Sequence, residues 1–171
     1  MKRLAGLILT LTVLAAGCGY SFQKPSQSPL YGVRRLSIPV VGNATTYHGL
    51  TNSLTNDLIQ RFGLSRRFRL ASPDESEAVL SVQIAAVQIE GAARARTYDA
   101  SASRRITVTV GATLRLVDTG QVLWENRKII GRRIYTVSED QSLVEANLSR
   151  VMEDVAQELA EKIHDRLVEA F

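Results

Sequence analysis

The sequence has few of the residues that most often build catalytic or metal sites. Its 171 residues include one cysteine and two histidines. A single cysteine excludes an internal disulfide, so packing alone must stabilise the fold. We interpret His48 and His164 as surface or boundary residues, because a catalytic base needs a partner within hydrogen-bonding reach. Neither a His-Glu-x-x-His pattern, a glycine-rich phosphate loop nor a Cys/His metal spacing is present. The sequence therefore predicts no enzyme, no metal site and no cofactor.

Long apolar runs are also absent, except near the N-terminus. After Lys2 and Arg3, residues 4–16 are thirteen positions without a charge. A membrane span needs about 20 apolar residues, so this stretch is too short for one. It is typical of the apolar part of a secretory signal peptide. The run Leu-Ala-Ala-Gly-Cys, which ends at Cys18, follows it. We therefore predict a signal peptide over residues 1–17.

That run resembles the lipobox of bacterial lipoproteins, whose cysteine is acylated and becomes the new N-terminus. We predict lipidation at Cys18 and a flexible tether over the rest of residues 18–32, where Pro25, Pro29 and polar residues leave little periodicity. Several acyl chains make such an anchor stable. The resemblance also implies an outer-membrane location facing the periplasm, because Gly19 stands where inner-membrane lipoproteins have aspartate. The alternative is an ordinary signal peptide with a chance cysteine.

Periodicity predicts one α/β domain over residues 33–171. Segments with apolar residues at every second position are typical of strands, and segments with helical spacing are typical of amphipathic helices. The predicted strands are 33–41, 78–90, 104–118 and 121–135, and the predicted helices are 46–62 and 138–170. Residues 67–70 are a candidate for a further short strand. The expected fold class is α+β: a four-stranded mixed sheet with two amphipathic helices packed on one face, a two-layer sandwich.

Local signals refine this prediction. A change in the parity of the apolar residues indicates a β-bulge near Ala85. Gly63 is expected to end the first helix in the left-handed conformation. Ser138 and Gln141 match a capping box at the start of the second helix. The Asp-Thr-Gly triplet that ends at Gly120 resembles that of aspartic proteases, but a tight hairpin turn explains it and the chain has no second copy.

Charge is distributed unevenly along the chain. Residues 138–171 contain nine acidic and three basic residues, whereas residues 19–137 contain sixteen basic and eight acidic ones. If the second strand runs upwards, the third begins and the fourth ends at the top, so basic residues should meet at one end of the sheet. The arginines expected at this end are Arg94, Arg96, Arg104, Arg105, Arg132 and Arg133.

We interpret this end of the sheet as a binding site for an anionic partner, because guanidinium groups crowded together repel one another and attract anions. Arginine also suits planar recognition of phosphate. The alternative is six independently solvated side chains on frayed strand ends. Export to the periplasm argues against nucleic acid as the partner.

The mature chain resembles the LptE family of lipopolysaccharide-assembly lipoproteins. Its start, Gly-Tyr-Ser-Phe after Cys18, is similar to the family's Cys-Gly-Tyr-x-Phe. Further similarities are Ile38-Pro39, Asn43-Ala44-Thr45, Gly49-Leu50, Leu54-Thr55, Ala78-Val79-Leu80 and residues 119–125. The family has four strands with two helices on one face, which the resemblance implies for this chain.

The resemblance implies a role without catalysis. Family members plug the LptD β-barrel, help it assemble, bind lipopolysaccharide and aid its delivery to the outer leaflet. Basic residues near one end of the sheet take part in lipid binding in the family, which by position implies this role for Arg94, Arg96, Arg104, Arg132 and Arg133. A second interpretation is a periplasmic lipoprotein subunit of a secretion pore or an activator of a cell-wall synthase, because the opening strand and helix also resemble those proteins. A periplasmic hydrolase is disfavoured by the missing nucleophile and base.

Overall fold

The computed structural model describes residues 32–92, 102–137 and 140–170. In chain order the described elements are β1 (Arg35–Ser37), β2 (Gly42–Asn43), α1 (Gly49–Gly63), β3 (Arg69–Leu70), a 3-10 helix (Pro73–Glu75), β4 (Ala78–Ala92), β5 (Ala102–Leu116), β6 (Val122–Val137) and α2 (Gln141–Glu169). The predicted signal peptide, the lipidated Cys18 and the tether before Gly32 lie outside the described residues. So do Arg94 and Arg96.

The six described strands form one mixed sheet. The α+β class with two helices is therefore confirmed, but the prediction of four strands is wrong. The strand order is β3-β1-β4-β5-β6, and β2 also pairs with β4. All pairings of β1, β2 and β3 are parallel. Within the predicted strand 33–41 only β1 pairs in the sheet, and it ends before Pro39, which has no N–H to donate to the ladder. β2 follows it at Gly42–Asn43, where a loop was expected. The candidate strand at 67–70 joins the sheet as β3.

The long strands β4, β5 and β6 form an antiparallel meander. In β5, alternate residues from Ile106 to Leu114 are fully or almost fully buried, while Thr107 and the other residues between them are more exposed. This confirms the predicted period of two. The register of β4 shifts between Ile84 and Ala86, where the bulge was predicted. Turn residues after β5 close the predicted hairpin.

Both helices form, but the predicted signals at one end of each are wrong. Gly63 stays helical, because the described glycines with positive φ are Gly32 and Gly120 alone. The α1 terminus is closed instead by the Leu64 N–H, which donates to the Gln60 carbonyl at 3.1 Å.

The start of α2 also differs from the predicted capping box. Asp140 is the N-cap, and its carboxylate accepts a hydrogen bond from the Ser142 N–H at 2.9 Å. Ser138 lies outside the described residues. Aspartate next to the first turn satisfies one of the unpaired N–H groups of a helix as well as serine would.

The core lies between one face of the sheet and the two helices. The fully buried side chains of α1 are Leu50, Leu54, Leu58 and Phe62, and those of α2 include Val155, Leu159, Ile163 and Leu167. The first turns of α2 are less buried than the predicted stripe implied, and Leu143 is 52% exposed. No helix among the described residues combines the length and the apolar character needed to cross a membrane.

Candidate functional site

Four of the six predicted arginines are described, and they lie at the same end of the sheet. There β4 ends, β5 begins and β6 ends. The register pairs Arg104 with Tyr135 and places Arg133 opposite Ile106. We call this region the arginine end and define it by Arg104, Arg105, Arg132 and Arg133.

The arginine end has two faces with different surroundings. Successive residues of a strand point to opposite faces, and paired residues of neighbouring strands share a face. Arg104 and Arg133 therefore lie on the face that carries the helices, together with the buried Ile106. Arg105 and Arg132 lie on the uncovered face. The sequence predicted a single cluster. The four described arginines instead form two pairs, one on each face of the sheet.

Arg133 is held by α2. One of its guanidinium nitrogens donates to the carboxylate of Glu158, which also pairs with Lys162. The Lys162 ammonium donates to the Ile130 carbonyl of β6 at 2.7 Å. The Glu158 side chain is only 18% exposed, so water screens these pairs less than at an open surface. This network holds α2 against β6, and the guanidinium group of Arg133 contributes to that contact.

The pair on the uncovered face has a different setting. Arg105 and Arg132 are exposed, and no ion pair found among the described residues includes either of them. Ile134 lies opposite Arg105 on this face and is 58% exposed. Glu90 faces Arg105 from β4. An exposed apolar side chain next to two guanidinium groups suits an amphiphile that carries phosphate next to hydrocarbon, because arginine binds phosphate by charge-assisted hydrogen bonds.

Sequence reasoning missed a second basic cluster at the opposite end of the sheet. Arg34, Arg66, Arg67 and Arg69 line a pocket of about 380 Å³ there. The available signal was the pair of Arg-Arg doublets at 34–35 and 66–67, each beside a short strand. The parallel pairing of β1 with β3 brings them together, and this pairing is not visible in the sequence pattern.

Comparison with known protein families shows the family to which this chain belongs. Residues 33–167 match the family model LptE, described as lipopolysaccharide-assembly. The chain belongs to the LptE family. The match includes both basic ends of the sheet and reaches almost to the end of α2. No curated protein matches the chain.

Solved structures with the same fold accompany the LptE match. A protein of Caulobacter crescentus described as a lipoprotein superposes with a TM-score of 0.53 at 15% identity, covering 77% of this chain and 86% of that one. A protein of Xanthomonas campestris superposes with a TM-score of 0.52 at 16% identity, covering 79% and 85%. At these identities the likeness shows the fold alone. Family membership supports a lipopolysaccharide-assembly lipoprotein of the cell envelope.

Proposed function

We propose that this LptE-family protein is held at the outer membrane by acyl chains on Cys18, on the periplasmic side. There it plugs an LptD-type β-barrel, helps the barrel assemble, binds lipopolysaccharide and aids its delivery to the outer leaflet. The observation that carries this proposal is the LptE match over residues 33–167. The role requires no catalysis, because lipid transfer needs binding surfaces and a path.

The arginine end supplies the binding surface in this proposal. Lipopolysaccharide presents phosphates beside acyl chains, and Arg105 and Arg132 flank the exposed Ile134 on the uncovered face. Their guanidinium groups would bind the phosphates and compete with the divalent cations that bridge neighbouring lipopolysaccharide molecules. Arg133 is a weaker candidate because it is already paired with Glu158 and lies on the face that carries the helices. Arg94 and Arg96 belong to the same predicted site through their place in the sequence between β4 and β5.

The edge strand β6 favours a plug that contacts its barrel through side chains and not through backbone hydrogen bonds. An open edge strand normally offers free backbone groups to a further strand. Two carbonyls of β6 are already occupied by α2, because Lys162 donates to Ile130 and Asn147 donates to Thr136 at 3.3 Å. Addition of a barrel strand to this edge would have to displace both contacts.

Lipopolysaccharide binding tests the proposed site. In the lipidated mature protein, R105Q/R132Q should weaken lipopolysaccharide binding about tenfold, because two hydrogen bonds to charged groups are lost at an exposed surface. The matched control is R66Q/R69Q, which removes the same charge from the opposite end of the sheet. Equal losses in the two variants, or no loss in either, would contradict the assignment of the site.

Copurification tests the proposed partner separately. Tagged protein extracted from native membranes in mild detergent should recover a large outer-membrane barrel in a fixed ratio. Recovery of a ring of identical subunits or of a cell-wall synthase, with no barrel, would contradict the plug role.

A further inference from the structure

A pocket lies at the end of the sheet opposite the arginine end. It has a volume of about 380 Å³ and is lined by Gly32, Val33, Arg34, Arg66, Arg67 and Arg69. We call it the tether-end pocket, because Gly32 is the residue at which the predicted tether from Cys18 meets the domain. Four of its six lining residues are arginines and none is acidic. A concave surface with charge of one sign concentrates counter-ions.

The backbone holds this pocket in a fixed shape. β1 and β3 pair in parallel, with Arg35 opposite Arg69, and the Arg69 N–H donates to the Arg34 carbonyl at 2.7 Å. Val33 and Phe68 are buried, at 7% and 2% exposure. Arg34 and Arg69, which follow these two residues in the chain, are exposed, so both side chains are open to solvent.

The nearby acid is already neutralised, so it does not cancel the charge of the pocket. The Glu77 carboxylate accepts hydrogen bonds from the Arg34 and Arg35 N–H groups at 2.7 and 3.0 Å and pairs with the Arg35 guanidinium at 3.2 Å. Arg34, Arg66 and Arg69 are exposed. None of these three takes part in an ion pair that the structure records among its described residues.

We infer that the tether-end pocket binds the headgroup phosphate of an anionic phospholipid in the leaflet that holds the anchor. This inference rests on the lipid anchor of the proposed function. The fourteen residues from Gly19 to Gly32 reach at most about 50 Å when fully extended, and any shorter tether path brings this end of the domain to the headgroups first. Guanidinium groups bind phosphate oxygens in a bidentate manner that ammonium groups do not. Binding at this end would orient the domain, with the arginine end pointing away from the anchoring leaflet.

Hydrogen exchange in nanodiscs tests the inference on the intact lipidated protein. Segments 32–36 and 66–70 should exchange more slowly in phosphatidylcholine discs that contain phosphatidylglycerol than in pure phosphatidylcholine discs. Each basic residue near an anionic surface favours binding by roughly fivefold, so three arginines favour the docked state on the order of 100-fold. Raising the salt concentration should reverse the protection, because the contacts are electrostatic and solvent-facing.

Matched variants separate this site from the lipopolysaccharide site. R34Q/R66Q/R69Q should lose the protection in phosphatidylglycerol discs and keep lipopolysaccharide binding. R104Q/R105Q/R132Q removes the same charge from the arginine end and should do the reverse. Exchange that is identical in the two disc types would overturn the inference. So would equal protection by millimolar inorganic phosphate in neutral discs, which would indicate a site for free anions. Normal protection with no lipopolysaccharide binding in any variant would instead contradict the proposed function alone.

Discussion

Gly131 of β6 gives a quantitative test of how closely α2 packs on the sheet. It lies opposite the buried Val108 and faces α2. A Cβ at this position would lie 2.9 Å from Val155 Cγ1 and 3.0 Å from Leu159 Cγ. Neither atom yields easily, because both side chains are fully buried and a β-branched valine in a helix has essentially one rotamer. Gly131→Ala should therefore overpack the interface, at a cost of about 1–3 kcal/mol.

Gly111 in β5 is the matched control for this substitution. It is also a strand glycine without positive φ, but it lies on the uncovered face. There a Cβ would meet the Arg127 backbone carbonyl at an ordinary 3.7 Å. Gly111→Ala should be neutral or stabilise the fold by about 0.4–1 kcal/mol, because alanine restricts the unfolded chain. That entropic gain is common to both variants, so their difference of about 1–3 kcal/mol isolates the steric cost.

Urea unfolding of the mature chain, followed by circular dichroism, measures both variants. The slopes against urea should match, so that the midpoints report stability directly. If Gly131→Ala proved as stable as Gly111→Ala, α2 would not sit against β6 as closely as described. The network that holds Arg133 would then lose its basis as well.

Three further predictions concern single polar groups. Thr55→Val should destabilise the fold by about 1–3 kcal/mol in the same urea assay. Its hydroxyl accepts a hydrogen bond from the buried Val41 N–H at 3.1 Å. Ser53→Ala is the control and should change little, because the half-buried Ser53 hydroxyl makes only a 3.4 Å bond to the Gly49 carbonyl. Two backbone N–H groups lower the pKa of Glu77 below its ordinary 4.5. The ionised carboxylate therefore stabilises the fold fully above pH 4.5, and this stabilisation disappears as the pH falls through the lowered pKa. In thermal unfolding, the midpoint temperature of Glu77→Gln should fall less on acidification than that of the wild type. Glu158→Gln should cost about 1 kcal/mol of stability and make stability less sensitive to salt. It should also tighten lipopolysaccharide binding, because it frees the guanidinium group of Arg133. Unchanged stability and binding would refute the shared ion pair.

The long elements could be predicted because periodicity records burial directly. In β5 every second residue is buried, so the apolar pattern from Ile106 to Leu114 gives both the strand and its buried face. The bulge near Ala85 was visible for the same reason, since an inserted residue changes which parity is apolar. The hairpin at Gly120 followed from local turn chemistry.

The short elements could not be predicted in the same way. β1, β2 and β3 are two or three residues long, too short to show a period. Their parallel partners are distant in sequence, so no local signal connects them. The helix ends failed for a different reason: several local solutions satisfy the same backbone groups, and Asp140 at the start of α2 was as suitable a cap as Ser138.

The site was predictable in position and only partly in arrangement. Hairpin connectivity places the start of β5 and the end of β6 at one end of the sheet. Alternation within a strand already requires Arg104 and Arg105 to face opposite ways, so the division into two pairs could have been predicted. The pairing of Arg133 with Glu158 could not, because it depends on how α2 is rotated about its axis above the sheet.

The distance between the two basic ends of the sheet can be compared with the thickness of a membrane. Leu116 of β5 is level with β1 at the tether end. Arg105 lies eleven residues from it, and a strand advances about 3.3 Å per residue, so the two basic ends lie about 36 Å apart before twist shortens the distance. A bilayer with its headgroups is about 40–45 Å thick. A domain held upright in the proposed barrel, with its tether-end pocket at the anchoring leaflet, would therefore present Arg105 and Arg132 near the level of the opposite leaflet. Arginines would then bind phospholipid phosphate at one end of the sheet and lipopolysaccharide phosphate at the other. The position of the tether would determine which end faces which lipid.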